Sequence, residues 1–268
     1  MKLGIAISLY DKYDFLMTNI NVLRKHWKNE VSISVCCNHE PTFKKISEDG
    51  LVDNLHLGNE SKLDPVKVGK DIARLHPKII RRLRQYDCVS SSITNASKNS
   101  DYVIHWHTDA FALNEDAVYS LVSLMKKNNY KFLGRGFWTD YISQKTPFGD
   151  VDDHFFIVDS SVVGKIFNHQ MAVKNALDNF AMEGNLVSLV RCALKEEEIH
   201  IYSDMSECEV KKTSRIDKRY KDKIPHRTLP PINIDPTRGL VHCDIYEELP
   251  QIFDRFGVSK ELIYKNNS

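Results

Sequence analysis

Apolar positions along the chain recur with two periods, and the alternation between them outlines a fold. Residues 3–9 form an apolar run of strand length, continuous enough to be buried on both faces. Over residues 13–28 the spacing becomes helical, with Phe15, Leu16, Ile20, Leu23 and Trp27 on one side. Residues 31–37 return to strand character, and a short helix near 41–48 and a strand over about 51–57 follow. From Pro65 to Ser97 the pattern is helical and basic, with Pro77 breaking or restarting it, because proline cannot donate the helical hydrogen bond. Residues 101–107 predict a fourth strand. Asn114 then caps a helix over 115–128 that turns Leu121, Leu124 and Met125 inward. Strands over 130–137 and 154–158, helices over 160–167 and within 177–194, and a short strand at 199–202 complete the regular pattern.

Strands alternating with helices through the first 200 residues predict an α/β layer fold with a mostly parallel sheet. Ligands of such sheets bind beyond the carboxyl ends of the strands. The chemically interesting residues sit there: Ser8 and Tyr10 after the first strand, Asn38, His39 and Glu40 after the second, His107 and Asp109 after the fourth. The pattern fails over 211–239, where a basic stretch from Lys211 to Arg227 is followed by Pro230, Pro231 and Pro236. This reads as a long solvated loop, with a flap over an anionic ligand as the sharper alternative.

Composition adds limits. With 268 residues, 42% hydrophobic and 27% charged, the chain can bury one substantial core. A net charge of +1 removes the global electrostatic case for a nucleic-acid or membrane partner. No apolar run reaches the roughly 18 residues of a membrane span, and Asp11 and Lys12 interrupt the opening run too early for a signal peptide. Six cysteines occur without a Cys-x-x-Cys pair, which argues against a zinc finger and predicts a reducing, cytoplasmic setting.

The candidate chemistry centres on His105-Trp-His-Thr-Asp-Ala110. Asp109 falls where a strand has ended, so its carboxylate can face the ligand crevice and hold a divalent cation. Strand alternation sets His107 on the same side, and His105 too if the strand persists. Two other readings stand beside this one. The histidines can be ordinary core residues. Alternatively, His105, His107 and Asp109 are the His-x-His-x-Asp element of a binuclear metallohydrolase, although Ala110 stands where a further histidine is usual.

Four features in order resemble the GT-A fold glycosyltransferases, the nucleotide-diphospho-sugar transferases. They are the strand Ile5-Ala-Ile-Ser-Leu-Tyr10 followed by a helix, the Gly69-Lys-Asp-Ile-Ala-Arg74 segment, the strand Asp101 to Asp109, and the Asn114–Met125 helix followed by a fifth strand. The resemblance implies a Rossmann-related, mostly parallel central sheet flanked by helices, with a core over 1–200. An irregular C-terminal segment over 201–268 would complete the site. It implies transfer of a sugar from a nucleotide-diphosphate donor to a saccharide, lipid-linked or other hydroxyl acceptor, or a non-catalytic nucleotide-sugar-binding module of the same fold. Asp109 would hold Mn²⁺ or Mg²⁺ together with His107, which stands in place of the family's first aspartate, and with His242. Ser8, Tyr10, Asn38, Lys70 and Arg74 would meet the donor, and Trp138 and Tyr141 would form a sugar platform. Glu183, Asp152 and Asp153 are the acids that could serve as the base, Glu183 lacking the second acid of the family's Glu-Asp element because Gly184 follows it.

Overall fold

A computed structural model of the chain describes residues 1–58, 77–137, 150–177, 182–202, 233–235, 239–243 and 245–265. Its sheet is organised around β1 (Leu3–Leu9), whose Leu3, Ile5, Ile7 and Leu9 pack on one face while Ala6 packs on the other. β1 pairs in parallel with β2 (Ser32–Cys37) on one side and with β4 (Tyr102–His107) on the other. β3 (Asn54–Leu57) extends the first edge in parallel. β6 (Phe132–Phe137), β7 (Asp150–Asp159) and β8 (Ile199–Tyr202) extend the second, giving the seven-stranded order β3-β2-β1-β4-β7-β6-β8. β7 alone runs against its neighbours, antiparallel to both β4 and β6, so the sheet is mostly parallel, as the alternation predicts.

Helices cover both faces. On the face that carries Ile5, Ile33, Ile104 and Trp106 lie α1 (Tyr13–Asn21) and α4 (Glu115–Asn128). α1 continues through a wider π turn over Val22–His26 before Trp27 leaves the helix. α4 begins where the sequence places it, with the Asn114 side chain accepting a hydrogen bond from the Ala117 amide at 3.2 Å. α2 (Glu40–Asp49) connects β2 to β3. The opposite face packs against α3 (Pro77–Ser97), α5 (Val163–Ile166), α6 (His169–Leu177) and α7 (Met182–Ala193) through Tyr86, Val89, Ile93, Ile166 and Leu186. α6 occupies a stretch to which the hydrophobic pattern assigned no element.

The C-terminal segment contains regular structure that its sequence did not announce. β5 (Ala110–Ala112), β10 (Leu240–His242) and β9 (Asn233–Asp235) form a small antiparallel sheet, and α8 (Leu249–Arg255) follows. Leu240, Val241, Leu249 and Phe253 join the same buried cluster as Ile5 and Trp106. Phe253 meets the Phe111 ring edge-on at 6.0 Å. Gly239 has a φ of +68°, and a Cβ there would lie 2.9 Å from the Asn114 Cβ, so the chain can cross the start of α4 only with glycine at this point. No helix among the described residues is long and apolar enough to cross a membrane.

If residues 239–265 are part of the core rather than an appendage, Phe253→Ala should destabilise the whole protein by about 3–5 kcal/mol. Chemical denaturation followed by fluorescence and by far-UV circular dichroism should show one shifted transition. A second, separate transition for the C-terminal segment would contradict this packing.

Candidate active site

The turn after β4 is held from three directions. The Asn19 side-chain amide donates to the Thr108 carbonyl at 2.7 Å, and its oxygen accepts from the Trp106 indole at 3.2 Å. The Thr108 hydroxyl donates to the Ser8 carbonyl at 2.7 Å, tying the end of β4 to the end of β1. The Cys243 amide donates to the Asp109 carbonyl at 2.8 Å. The β5–β10 ladder then sets Val241 opposite Phe111 and His242 opposite Ala110. This pairing brings His242, more than a hundred residues away in sequence, to Asp109.

Asp109 is buried yet charged. Its Oδ2 lies 2.5 Å from Lys12 Nζ and 3.3 Å from His242 Nε2. Burial alone would raise its carboxyl, but the bond to His242 and the charges of His242, His107 and Lys12 act more strongly and hold it well below the usual range. Lys12 enters from the loop between β1 and α1, so both ends of the described chain contribute to one carboxylate.

A second group lies beside it. The register that sets Trp106 opposite Phe155 makes His107 and His154 the next residues of the antiparallel β4 and β7, and their rings lie 4.5 Å apart. The His154 ring also meets that of His242 edge-on at 4.6 Å. Between Phe156 and Val151 the register of β7 against β6 slips, the kind of irregularity that re-aims side chains near functional sites. Here Asp153, only 2% exposed, reaches both imidazoles: His107 Nε2 is 3.4 Å from Oδ2 and His154 Nδ1 is 3.4 Å from Oδ1. Gln85 of α3 donates to Oδ2 at 2.8 Å. Burial raises the Asp153 carboxyl, but the neighbouring charges of His107 and His154 outweigh it and hold the group below its usual range. One ligand atom from each of His107, Asp153 and His154 falls within 4.8 Å of the others.

The residues singled out in the sequence separate on this framework. His107, Asp109, His242 and Asp153 converge. His105 does not join them: it is fully buried, its ring packs on Phe156 at 4.8 Å, and burial pushes its pKa down to about 3. It is a core histidine, and the metallohydrolase reading loses the first ligand of its trio. Trp106 and Phe111 are likewise core residues. Tyr10 is 55% exposed at the end of β1, with its ring 5.1 Å from that of His39. The Asn38 side chain donates to the Arg84 carbonyl at 3.0 Å, so it joins β2 to α3. Ser8 stands beside His107 in the β1–β4 register. Asp152 falls within β7 and Glu183 within α7. Lys70, Arg74, Trp138, Tyr141 and the 211–227 basic stretch lie outside the described residues.

Sequence reasoning did not select Lys12, Gln85 or Asn19 for the site, and it weighed His154 only beside Asp152 and Asp153, as part of an acceptor-binding or base group, and as a later ligand in the metallohydrolase alternative. His154 adjoins Asp153, which was a signal, but its meeting with His107 requires β7 to run antiparallel, and a β/α alternation implies the opposite. Lys12, in a loop between strand and helix, carried no mark that set it apart.

No family model and no curated protein matches the chain. Among solved structures it is similar to the galactosyltransferase LgtC in complex with donor and acceptor sugar analogues. That match is 13% identical, covers 96% of this chain and 98% of that one, and has a TM-score of 0.49. It is also similar to mouse xyloside xylosyltransferase 1, at 8% identity, 82% and 91% coverage and a TM-score of 0.47. The bifunctional glycosyltransferase WbbM matches at 11% identity over 75% of this chain, with a TM-score of 0.44, and the chain spans 38% of its length. The chain likewise spans 46% of GlyE from Streptococcus pneumoniae TIGR4. All four are glycosyltransferases by name.

The folded His105 binds fewer protons than the unfolded one between the ordinary histidine value of 6.5 and about 3. Its contribution to stability is therefore lost as pH falls below 6.5, at up to about 1.4 kcal/mol per pH unit. His105→Leu should flatten the acid limb of the stability-versus-pH curve between pH about 6 and 4.5, measured by denaturant titration with chelator present. Equal slopes for the two proteins would show that His105 does not stay neutral in the fold.

Proposed function

We propose that this protein is a glycosyltransferase that moves a sugar from a nucleotide-diphosphate donor to a hydroxyl acceptor. The observation that carries the reading is the meeting of Asp109, His242 and Lys12 at the carboxyl end of β4, where an α/β sheet presents ligands to its strand ends. A nucleotide diphosphate leaves with negative charge, and a pocket that pairs a cationic side chain with divalent-metal ligands suits that leaving group.

The donor set fits a divalent cation: an ionised carboxylate and an imidazole at Asp109 and His242, with His107 beside them. Such a cation, Mn²⁺ or Mg²⁺ in the family resembled, would supply charge neutralisation for the diphosphate as the glycosidic bond to the sugar breaks. The chain's own residues do the rest. Lys12 adds a second positive charge, and it can leave Asp109 for a phosphate oxygen without crossing the site. Tyr10 offers an exposed flat face for the base of the nucleotide. Lys70 and Arg74 are assigned to the diphosphate, and Ser8 and Asn38 to the nucleoside end. Two acids are assigned to the acceptor hydroxyl, Glu183 and Asp152. Asp153 is not available for that task, because Gln85, His107 and His154 already surround its carboxylate. The segment from 201 onward completes the site through His242. Free Cys36, Cys37 and Cys88, buried near one another at the head of β2 and on α3, support a reducing, cytoplasmic setting.

Thermal-shift measurements against UDP-, GDP-, CDP- and dTDP-sugars, each with and without Mn²⁺ or Mg²⁺, should single out one nucleotide. At a hundredfold excess over Kd the gain is about 2.7 kcal/mol, a rise of several degrees in Tm. Asp109→Asn and Lys12→Ala should each abolish that rise, and slow hydrolysis of the same donor should disappear with it. A donor-induced shift that persists in Asp109→Asn would remove the basis of the proposal. Binding with no turnover over a panel of acceptors would favour the non-catalytic module instead.

A further inference from the structure

We propose that His107, Asp153 and His154 form an inner metal centre that selects a zinc-class divalent ion over Mg²⁺. This goes beyond the sugar-transfer reading, which needs a cation only where Asp109 and His242 can present it to a diphosphate. The two readings share His107 and are separated at the other residues, Asp109 for the sugar donor and Asp153 and His154 for the inner centre.

Three observations lead to it. First, His107 Nε2 is shielded from solvent and has no hydrogen-bond partner, although Asp153 Oδ2 is 3.4 Å away. A buried ring nitrogen left in this way costs about 1–3 kcal/mol; His105 also carries such nitrogens, but only that of His107 stands beside the Asp153 carboxylate and a second imidazole. Second, one ligand atom from each of His107, Asp153 and His154 falls within 4.8 Å of the others, so three donors from β4 and β7 face one small volume. Third, the donors are two imidazoles and one carboxylate. Imidazole suits zinc, cobalt and nickel, whereas Mg²⁺ prefers oxygen ligands and retained water.

The surroundings are those of a prepared centre. Gln85 donates to Asp153 Oδ2 at 2.8 Å and fixes the carboxylate from the side of α3, the kind of outer hydrogen bond that orients metal ligands. The buried rings of His105 and Phe156 pack behind His107. The ring of His242 stands against that of His154, and His107, Asp153 and His154 supply three protein ligands. That is the ligand count of an open zinc site.

The test uses metal-stripped full-length protein and needs no sugar donor. Titration with Co²⁺ should give the intense visible bands of a tetrahedral site, Zn²⁺ should displace them, and Mg²⁺ should bind at least about tenfold more weakly than Co²⁺. Asp153→Asn and His154→Gln should lose the bands, whereas Asp109→Asn should keep them while losing the nucleotide-sugar shift. Gln85→Ala should weaken Co²⁺ by about 10–100-fold without removing the bands. Metal-free thermal unfolding checks that each variant is folded, and the selectivity of the unaltered protein stands whether or not a variant folds. Absence of tetrahedral bands, Mg²⁺ binding as tight as Co²⁺, or bands that depend on Asp109 but not on Asp153 and His154 would overturn the proposal.

Discussion

A carboxylate taken out of water requires opposite charge, and Asp109 obtains it from segments far apart along the chain. Lys12 comes from the loop after the first strand and His242 from the last. Neither could arrive unless the turn at 107–109 were fixed. It is fixed by Asn19 on α1, by the Ser8 carbonyl and by the Cys243 amide. The compensated charge just past the end of β4 thus joins the first and last thirds of the protein, beside the apolar cluster that Leu240, Val241 and Phe253 share with Ile5.

The sheet turns this compensation into a site. β4 lies between β1, parallel to it, and β7, antiparallel to it. The parallel neighbour contributes the crevice at the strand ends, with Ser8, Tyr10 and Lys12. The antiparallel neighbour delivers Asp153 and His154 back to that same end, which a parallel strand would have reached only through its following loop. The register slip in β7 allows adjacent residues, which alternation would send to opposite faces, to meet one cluster. Two groups then sit side by side: an ionised carboxylate with a lysine and a histidine, and a cluster of imidazoles around Asp153.

The core around this site also explains which histidine does what. His105, His107 and His154 are near neighbours in space, yet the first faces Phe156 inside the protein and its basicity falls accordingly. Burial, and not identity or spacing, sets this packing histidine apart from the other two.

The sequence by itself determined the elements whose information is local. β1, β4 and the helix capped by Asn114 were legible because an apolar run, a change of period and a side-chain cap are each written within a few residues. The placement of His107 and Asp109 at a strand end followed from them. Only the tertiary structure decided what those residues meet. β5 and β10 are three residues each, too short for a period to register, and they pair across the whole chain. The reversal of β7, the helix over 169–177 and the approach of Lys12 and Gln85 had no local signature either. Contacts made between distant segments depend on the direction and register of strands. Those are fixed by the packing of the complete sheet and not by any stretch read alone.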